Sequence, residues 1–169
     1  MKKATIKRQS EIKSLLELKN CIKTWGKELG FDDIGVTNTD LSQYEPFFLQ
    51  WIEQGFHGEM EYMARHGKKR TQPKLLETET ASIISVRINY FDSESEHPAK
   101  VLHNPAKAYI SRYALGKDYH KLLRKRLQKL AEKINQEVDD FGFRAFTDSA
   151  PVLEGPIAEK AGLGFIGKN

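Results

Sequence analysis

The sequence contains a single cysteine, Cys21, among its 169 residues. One thiol cannot form an internal disulfide, which agrees with a reducing compartment. It also excludes an iron–sulfur cluster or a cysteine-rich zinc site built from this chain alone. No apolar run approaches the ~20 residues that a membrane-spanning helix needs, and the basic N-terminus lacks the apolar segment of a signal peptide. We therefore expect a cytoplasmic protein with no membrane association.

Several patterns typical of catalytic sites are also absent. The five histidines show no metal-ligand spacing with one another, and His-Glu-x-x-His does not occur. The His-x-Glu at 57–59 has no pair of cysteines to complete a metal site, because the chain has a single cysteine. No Gly-x-Ser-x-Gly elbow is present. These absences argue against a metal held by protein ligands and against nucleophilic catalysis.

A glycine-rich stretch near the end of the sequence resembles two nucleotide-binding motifs without completing either. Gly162, Gly167 and Lys168 have P-loop spacing, but Asn169 stands where that motif has Ser or Thr. The same stretch contains Gly-x-Gly-x-x-Gly, yet both motifs need a strand before them and a helix after them. We expect neither nucleotide site and interpret Gly162 as the residue that ends a helix.

Length and composition describe one globular domain, residues 1–169, of which we expect residues 1–9 to be disordered. The hydrophobic fraction is 39% and the charged fraction is 30%, values that are ordinary for such a domain. The net charge is +4 and the isoelectric point is about 9.0. This charge fits an anionic partner such as RNA or a phosphate-bearing cofactor, but it also fits a merely solvated surface.

The hydrophobic periodicity predicts alternating helices and strands, and hence an α/β fold. Helices are predicted at 10–29, 46–54, 74–77 and 119–141, with a shorter one within 57–67. Strands are predicted at 31–37, 82–90 and 108–113, with a polar loop at 91–104. The strand at 82–90 is apolar on both faces, which predicts a central position in its sheet.

Two groups of basic residues stand out. The first comprises Arg65, His66, Lys68, Lys69 and Arg70. It is either a solvated loop or an anion clamp, in which Arg70 would bind two acceptors at once. The second occupies the first half of the helix at 119–141, where the helix dipole disfavours positive charge. That conflict is either tolerated at the surface or offset by a bound anion.

Asp148 is the candidate catalytic residue. It follows an apolar, strand-like run at 143–146 and directly precedes a Ser-x-Pro helix start. An isolated acid at this position is either an N-cap or salt-bridge partner, or a general acid. Free N–H groups of the next helix would stabilise its charged form. Delivery of a proton near neutral pH therefore requires a covering apolar ligand, such as a large flat cofactor.

Several long motifs resemble the epoxyqueuosine reductases, which are cobalamin-dependent enzymes of the last step of queuosine synthesis in tRNA. The similarity extends over the chain from about residue 11. The motifs are Asp-Ser-Ala-Pro-Val-Leu-Glu at 148–154, Ala-Glu-Lys-Ala-Gly-Leu-Gly at 158–164, Ser-Arg-Tyr-Ala-Leu-Gly-Lys-Asp-Tyr-His-Lys-Leu-Leu-Arg at 111–124 and His-Gly-Glu-Met at 57–60.

The resemblance implies an N-terminal, nitroreductase-like α/β domain with a mixed sheet flanked by helices, which binds cobalamin. It implies that Asp148 is the proton donor and that Asp148, Arg70 and Ser111 contact the cofactor. The basic groups would face the anticodon arm of tRNA, with epoxyqueuosine at the wobble position. We expect a monomer.

The same resemblance predicts parts that the sequence does not contain. The family continues into a ferredoxin-like domain with two 4Fe–4S clusters and then into a helical-repeat domain. Without them we expect the isolated chain to be inactive. Gly155 also replaces an arginine that relatives often have. The alternative function is a non-catalytic module, left by truncation, that binds tRNA or a corrinoid.

Overall fold

The computed structural model describes residues 5–167, which form an α/β domain with short strands. The helices in chain order are α1 (Leu15–Glu28), α2 (Glu45–Glu53), α3 (Glu61–Arg65), α4 (Pro98–Leu102), α5 (Tyr119–Glu137) and α6 (Glu154–Lys160). The strands are β1 (Thr5–Ile6), β2 (Asp33–Thr37), β3 (Ile83–Arg87) and β4 (Val138–Asp139). Short 3-10 helices occur at Gly67–Arg70, Pro73–Leu75 and Arg112–Ala114.

The strands pair in two antiparallel ladders. β2 pairs with β3 in a register that places Asp33 opposite Arg87 and Thr37 opposite Ile83. β1 pairs with β4. The expected mixed sheet is therefore wrong for residues 5–167, where both two-stranded sheets are antiparallel.

The central position predicted for the strand at 82–90 is also wrong, because β3 pairs with β2 alone among the described strands. Both faces of β3 are apolar because helices cover both sides of the β2–β3 pair. Ile84 and Val86 pack against the main core on the side of α1. On the other side, Gly35 of β2 lies against Ala161 at the end of α6.

The core lies between α1, α5 and the β2–β3 pair. Its buried side chains are Leu18, Ile22, Phe31, Ile34, Leu130, Ile134 and Val138. Two of them lie on α1 and two on α5, and the others lie in β4, in β2 and just before β2. Burial of such side chains contributes roughly 1.5–3 kcal/mol each. This core holds α5 rigidly, and the first turn of α5 bears the candidate site.

The segment before α1 contacts the end of α5. Ser14, rather than a residue near position 10, caps α1, and it forms a capping box with Glu17. Ser10 instead donates a hydrogen bond to the carboxylate of Glu137 at the end of α5. β1 pairs with β4, and the disorder expected for residues 1–9 stays a prediction. Residues 1–4 lie outside the described part.

The segment between β4 and α6 departs from its prediction in two ways. The apolar run at 143–146 forms no strand. Its aromatic rings instead make local contacts, with Phe143 stacked on Phe141 at 5.8 Å and Arg144 over Phe146 at 5.2 Å. The helix expected directly after Asp148 begins only at Glu154. Gly162 has a φ of 79° after the last turn of α6, which confirms its predicted capping role. Lys168 and Asn169 lie outside the described residues.

Packing of β2 against α6 can be tested with Gly35→Ala. The added Cβ would lie 2.4 Å from the backbone oxygen of Ala161 and 2.6 Å from its Cβ, so the strand and the helix end must separate. We expect the free energy of unfolding, measured by urea denaturation, to fall by about 1–3 kcal/mol. Gly142→Ala is the control, because no heavy atom lies within 4 Å of that Cβ position. Equal losses in the two variants would contradict this packing.

Candidate active site

Asp148 lies in the loop between β4 and α6, with its backbone in a strained conformation. Its φ is 56°, in the left-handed region that residues other than glycine rarely adopt. The preceding Thr147 is buried, whereas the side chain of Asp148 is 48% exposed. Non-glycine residues in this conformation persist where surrounding contacts hold them, often at functional sites.

Two neighbouring side chains from the first turn of α5 meet the carboxylate of Asp148. The hydroxyl of Tyr119 donates a short hydrogen bond to Oδ2 of Asp148. Nε2 of His120 lies 3.3 Å from the same oxygen. The rings of Tyr119 and His120 stack on each other with centroids 4.1 Å apart and planes 24° apart. The strained loop is therefore fastened to the start of α5 through one carboxylate oxygen.

Asp118 fixes the other side of the histidine. As the N-cap of α5, its Oδ1 accepts the backbone N–H of His120 at 3.0 Å and lies 2.9 Å from Nδ1 of the ring. Both hydrogen bonds hold the pKa of the Asp118 carboxyl below its usual range, with the contact to the ring as the larger cause. The imidazole thus lies between two carboxylates, Asp118 and Asp148.

The phenol of Tyr119 responds to the same carboxylate. Its hydrogen bond to Asp148 is the main cause that raises the pKa of Tyr119 to about 12. Asp148 also affects the pKa of Glu154, the first residue of α6. Burial, followed by the charge of Asp148, raises the pKa of the Glu154 carboxyl. Asp148 and Glu154 are therefore two neighbouring carboxyl groups in different environments. In other active sites, one member of such a pair acts as an acid and the other as a base.

Two of the cations in the first half of α5 have partners in the protein. Arg124 donates to the Ser149 hydroxyl at 3.1 Å, next to Asp148. Arg126 donates to the backbone oxygen of Gly30 at 2.8 Å. These contacts account for part of the positive charge near the start of α5. The bound anion considered from the sequence stays a hypothesis.

The hydrogen bonds described for Arg70 are made to α3 rather than to Asp148. Its guanidinium is buried and donates to the backbone oxygens of Met63 at 3.1 Å and Tyr62 at 2.9 Å. It also lies over the ring of Tyr62, 5.9 Å from the centroid. Arg70 therefore fastens the end of α3 to the following 3-10 turn.

Ser111 lies close to the site along the chain, where it begins the 3-10 turn Arg112–Ala114. Its side chain is exposed and makes no capping hydrogen bond. Tyr113 in this turn contacts both the ring of Tyr119 at 6.3 Å and the ring of Tyr90 at 6.5 Å. These rings connect Asp148 to an exposed surface, which we call the aromatic surface and which comprises Tyr90, Phe91, Tyr113 and Leu115.

An open cleft of about 350 Å³ adjoins this surface, lined by Tyr113, Ala114, Gly116, Lys117, Asp118, Tyr119 and His120. Two buried polar atoms nearby have no hydrogen-bond partner, namely Nε of Arg112 and Oγ1 of Thr147. Unpaired buried donors are rare in proteins. The site therefore combines a half-exposed acid, aromatic rings and unused polar groups.

Sequence reasoning found Asp148 but assigned no role to Tyr119 or His120. The tight spacing of an N-cap acid, a tyrosine and a histidine at 118–120 was the available clue. The spacing could not show that both rings turn towards residue 148, because adjacent side chains on a helix normally diverge.

The sequence of this chain is similar to curated proteins of one kind. A family model described as "Epoxyqueuosine reductase QueG, DUF1730" matches residues 70–149. The epoxyqueuosine reductase of Pseudomonas aeruginosa is 57% identical over 152 residues, which cover 90% of this chain and 42% of that protein. The Escherichia coli K12 enzyme is 52% identical over 160 residues, with coverages of 95% and 42%.

The chain is similar in sequence to part of the epoxyqueuosine reductases. It spans 42% of the length of these two relatives.

Solved epoxyqueuosine reductases share the fold. The structure of the Streptococcus thermophilus enzyme has a TM-score of 0.68 and 28% identity, covering 89% of this chain and 40% of that one. A crystal structure of an epoxyqueuosine reductase with an epoxyqueuosine-modified tRNA-Tyr stem loop has a TM-score of 0.74 and 25% identity, with coverages of 90% and 40%. The α/β architecture is therefore that of part of these enzymes.

Residues 5–167 contain neither a cluster of metal ligands nor a membrane-spanning helix. No cluster of three or more His, Cys, Asp or Glu side chains in this part is placed to hold a metal ion. Among its helices, none has the length and apolar character needed to cross a membrane.

The contact between Tyr119 and Asp148 can be tested by titrating tyrosinate absorbance. We expect the difference between the wild-type curve and the Tyr119→Phe curve to show one phenol with a pKa of about 12. In Asp148→Ala this pKa should return towards the ordinary 10.0. Because folding raises the pKa, the contact stabilises the fold fully below pH 10 and is lost as the pH rises towards 12. An unchanged pKa in Asp148→Ala would contradict the contact.

The backbone strain at Asp148 can be separated from its side-chain contacts by two substitutions. Asp148→Gly and Asp148→Ala both remove the carboxylate, but only glycine adopts the positive φ without steric cost. We expect Asp148→Gly to be more stable than Asp148→Ala by about 1–2 kcal/mol in chemical denaturation. Equal stabilities would mean that the loop relaxes once the carboxylate is gone.

Proposed function

We propose that this chain is the cobalamin-binding, catalytic part of an epoxyqueuosine reductase, an oxidoreductase that converts epoxyqueuosine to queuosine in tRNA. One observation carries this function. A half-exposed carboxylate, Asp148, is held in a strained backbone conformation by two side chains, Tyr119 and His120, beside an open aromatic surface. Residues 70–149, which the family model matches, include all three of these side chains.

The residues around Asp148 fit a cobalamin. A corrin is a broad, largely apolar ring with amide groups at its rim. The aromatic surface offers exposed apolar rings to such a ligand, with Tyr90 66% and Tyr113 55% exposed. The unpartnered Nε of Arg112 and Oγ1 of Thr147 could satisfy amide groups. Ser111, exposed at the edge of the same turn, fits its expected role as a direct contact.

Arg70 fits a less direct role than the resemblance implies. Its Nε and one terminal nitrogen already donate to backbone oxygens of α3. We therefore propose that Arg70 supports the wall of the pocket at α3. Any contact between Arg70 and the cofactor is made in addition to these hydrogen bonds.

When bound, cobalamin supplies the reducing power for opening the epoxide ring. The role of this chain is to place a proton. Asp148 in its acid form gives its proton to the epoxide oxygen as the carbon–oxygen bond breaks. Tyr119 orients the carboxyl group through Oδ2 and stays protonated at neutral pH, since its pKa is about 12. A ligand over the aromatic surface excludes water and so favours the acid form of Asp148.

The proposed substrate is the anticodon arm of tRNA. A structurally similar reductase was crystallised with a modified tRNA-Tyr stem loop. Exposed lysines flank the cleft and the α3 region in this chain, namely Lys68, Lys69, Lys117, Lys121 and Lys125. Such side chains bind phosphates without sequence preference. The two 4Fe–4S clusters belong to the proposal as electron donors in the part of the relatives that this chain does not span.

A nitroreductase-like arrangement, a monomeric state and a cytoplasmic location stay predictions. The competing function is a module that binds tRNA or a corrinoid without catalysis. Both functions predict ligand binding, so only turnover separates them.

The decisive experiment uses a chimera in which this chain replaces the matching region of the Pseudomonas aeruginosa enzyme. We expect the chimera to convert an epoxyqueuosine-containing stem loop to queuosine, measured by mass spectrometry of the nucleosides. Asp148→Asn should lower turnover by at least about 100-fold, the usual contribution of a general acid. Cobalamin binding, measured by visible absorption and EPR of cob(II)alamin, should be retained in this variant.

Each result has a defined meaning. Binding without conversion by the unsubstituted chimera would favour the non-catalytic module. Full turnover by Asp148→Asn would remove Asp148 from the mechanism. Absence of binding to both the chimera and the isolated chain would overturn the proposed function.

A further inference from the structure

We infer that Asp118 and His120 form a proton relay that returns a proton to Asp148 after each turnover. The inference rests on the proposed function, because it assumes that Asp148 gives a proton to the substrate. It adds a path for the replacement proton and assigns positioning roles to two residues.

The relay begins with the orientation of the imidazole. Oδ1 of Asp118 is fixed by the backbone N–H of His120 at 3.0 Å, and the same oxygen lies 2.9 Å from Nδ1. A carboxylate at this distance holds a proton on Nδ1, just as a ring nitrogen's partner sets the tautomer in other histidine sites. Nε2 is then the nitrogen that exchanges a proton, and it lies 3.3 Å from Oδ2 of Asp148.

Two protonation patterns that keep the proton on Nδ1 also place a proton between Nε2 and Oδ2. Either the ring is positively charged and Nε2–H donates to the carboxylate of Asp148, or Asp148 is protonated and its O–H donates to neutral Nε2. The two patterns differ by one proton transfer from Nε2 to Oδ2. After Asp148 has lost its proton to the substrate, that transfer restores the acid. The ring then takes a proton from water at Nε2, because the histidine side chain is 41% exposed.

No other group contacting the ring can replace His120. Tyr119 donates to the same Oδ2, but its pKa of about 12 keeps the proton on the phenol. Asp118 has a lowered pKa and therefore holds no proton to give near neutral pH. Glu154 interacts with Asp148 rather than with the ring, and burial followed by the charge of Asp148 raises the pKa of its carboxyl group. Arg124 is engaged with Ser149.

The ring stack supports a specific arrangement over chance packing. Residues 119 and 120 are adjacent on α5, and adjacent helical side chains normally point in different directions. Here the two rings are nearly parallel and reach one carboxylate oxygen. The shared Oδ2 and the fixed Asp118 account for this convergence.

The tautomer of His120 gives a test that is independent of activity. Long-range proton–nitrogen NMR of the ¹⁵N-histidine-labelled chain, at a pH where the ring is neutral, should show the proton on Nδ1. Asp118→Ser keeps a good helix cap but is too short to reach the ring, and should move the proton to Nε2. The His103→Gln variant identifies the NMR signals of a histidine outside the site. A proton on Nε2 in the unsubstituted chain, or no change in Asp118→Ser, would overturn the relay.

The kinetic test uses the chimera described above. His120→Ala should lower kcat by about tenfold or more with little change in KM, because it removes proton transfer rather than substrate binding. Added imidazole should restore much of the lost rate, which a merely structural histidine would not allow. His103→Ala, at the exposed C-cap position that follows α4, should leave the rate unchanged.

The outcomes separate the relay from the function on which it rests. An active chimera whose His120→Ala variant keeps its rate, or is not rescued by imidazole, would overturn the relay alone. A chimera that makes no queuosine would overturn the proposed function, and the tautomer measurement would then decide whether the Asp118–His120 pair exists.

Discussion

The candidate site depends on one shared acceptor, Oδ2 of Asp148. Tyr119 and His120 both meet this oxygen, and the loop that bears it has a backbone conformation unfavourable for aspartate. An aspartate in the left-handed backbone conformation lowers the stability of the fold by roughly 1–2 kcal/mol. The two side-chain contacts offset that loss. The loop therefore stays in place only while the start of α5 presents the phenol and the imidazole together.

That presentation depends in turn on how α5 is fixed. Leu130, Ile134 and Val138 anchor the second half of the helix in the core beside α1 and β2. Arg126 fastens the middle of the helix to Gly30. The first turn is left free of the core, so its side chains can face the cleft. Rigid anchoring at one end and open presentation at the other is the arrangement that precise sites require.

The sequence predicted the parts of the fold that periodicity determines. The long helices and the two main strands lie where the apolar pattern places them, because buried faces leave a clear spacing. The pattern did not predict the pairing of β3. A strand has two apolar faces if it lies in the centre of a covered sheet. It has the same two apolar faces if it belongs to a two-stranded ladder between helices. Residues 143–146 likewise have the composition of a strand but no ladder partner, because Phe143 stacks on Phe141 and Phe146 contacts Arg144.

The site shows the same limit. Asp148 could be found because its surroundings in the sequence are unusual, and Ser111 because of a resemblance. The positive φ of Asp148 could not be found, because aspartate adopts it only where distant residues hold it. The convergence of Tyr119 and His120 on Oδ2 joins positions separated by 28 residues or more, and no local pattern predicts such a contact. Arg70 shows the reverse case, in which a conspicuous basic residue serves backbone oxygens of its own neighbourhood.

Exposure of the site makes the charge state of Asp148 depend on its ligand. In the structure its side chain is 48% exposed to water, and the Tyr119 hydroxyl donates a hydrogen bond to Oδ2. A flat ligand on the aromatic surface would remove the water and leave Tyr119 and His120 in contact with the carboxyl group. Covering the site thus favours the acid form through desolvation, while His120 provides the proton that this form requires. The strained loop, the aromatic surface and the histidine then act together, since each contributes to proton delivery only when the other two are present.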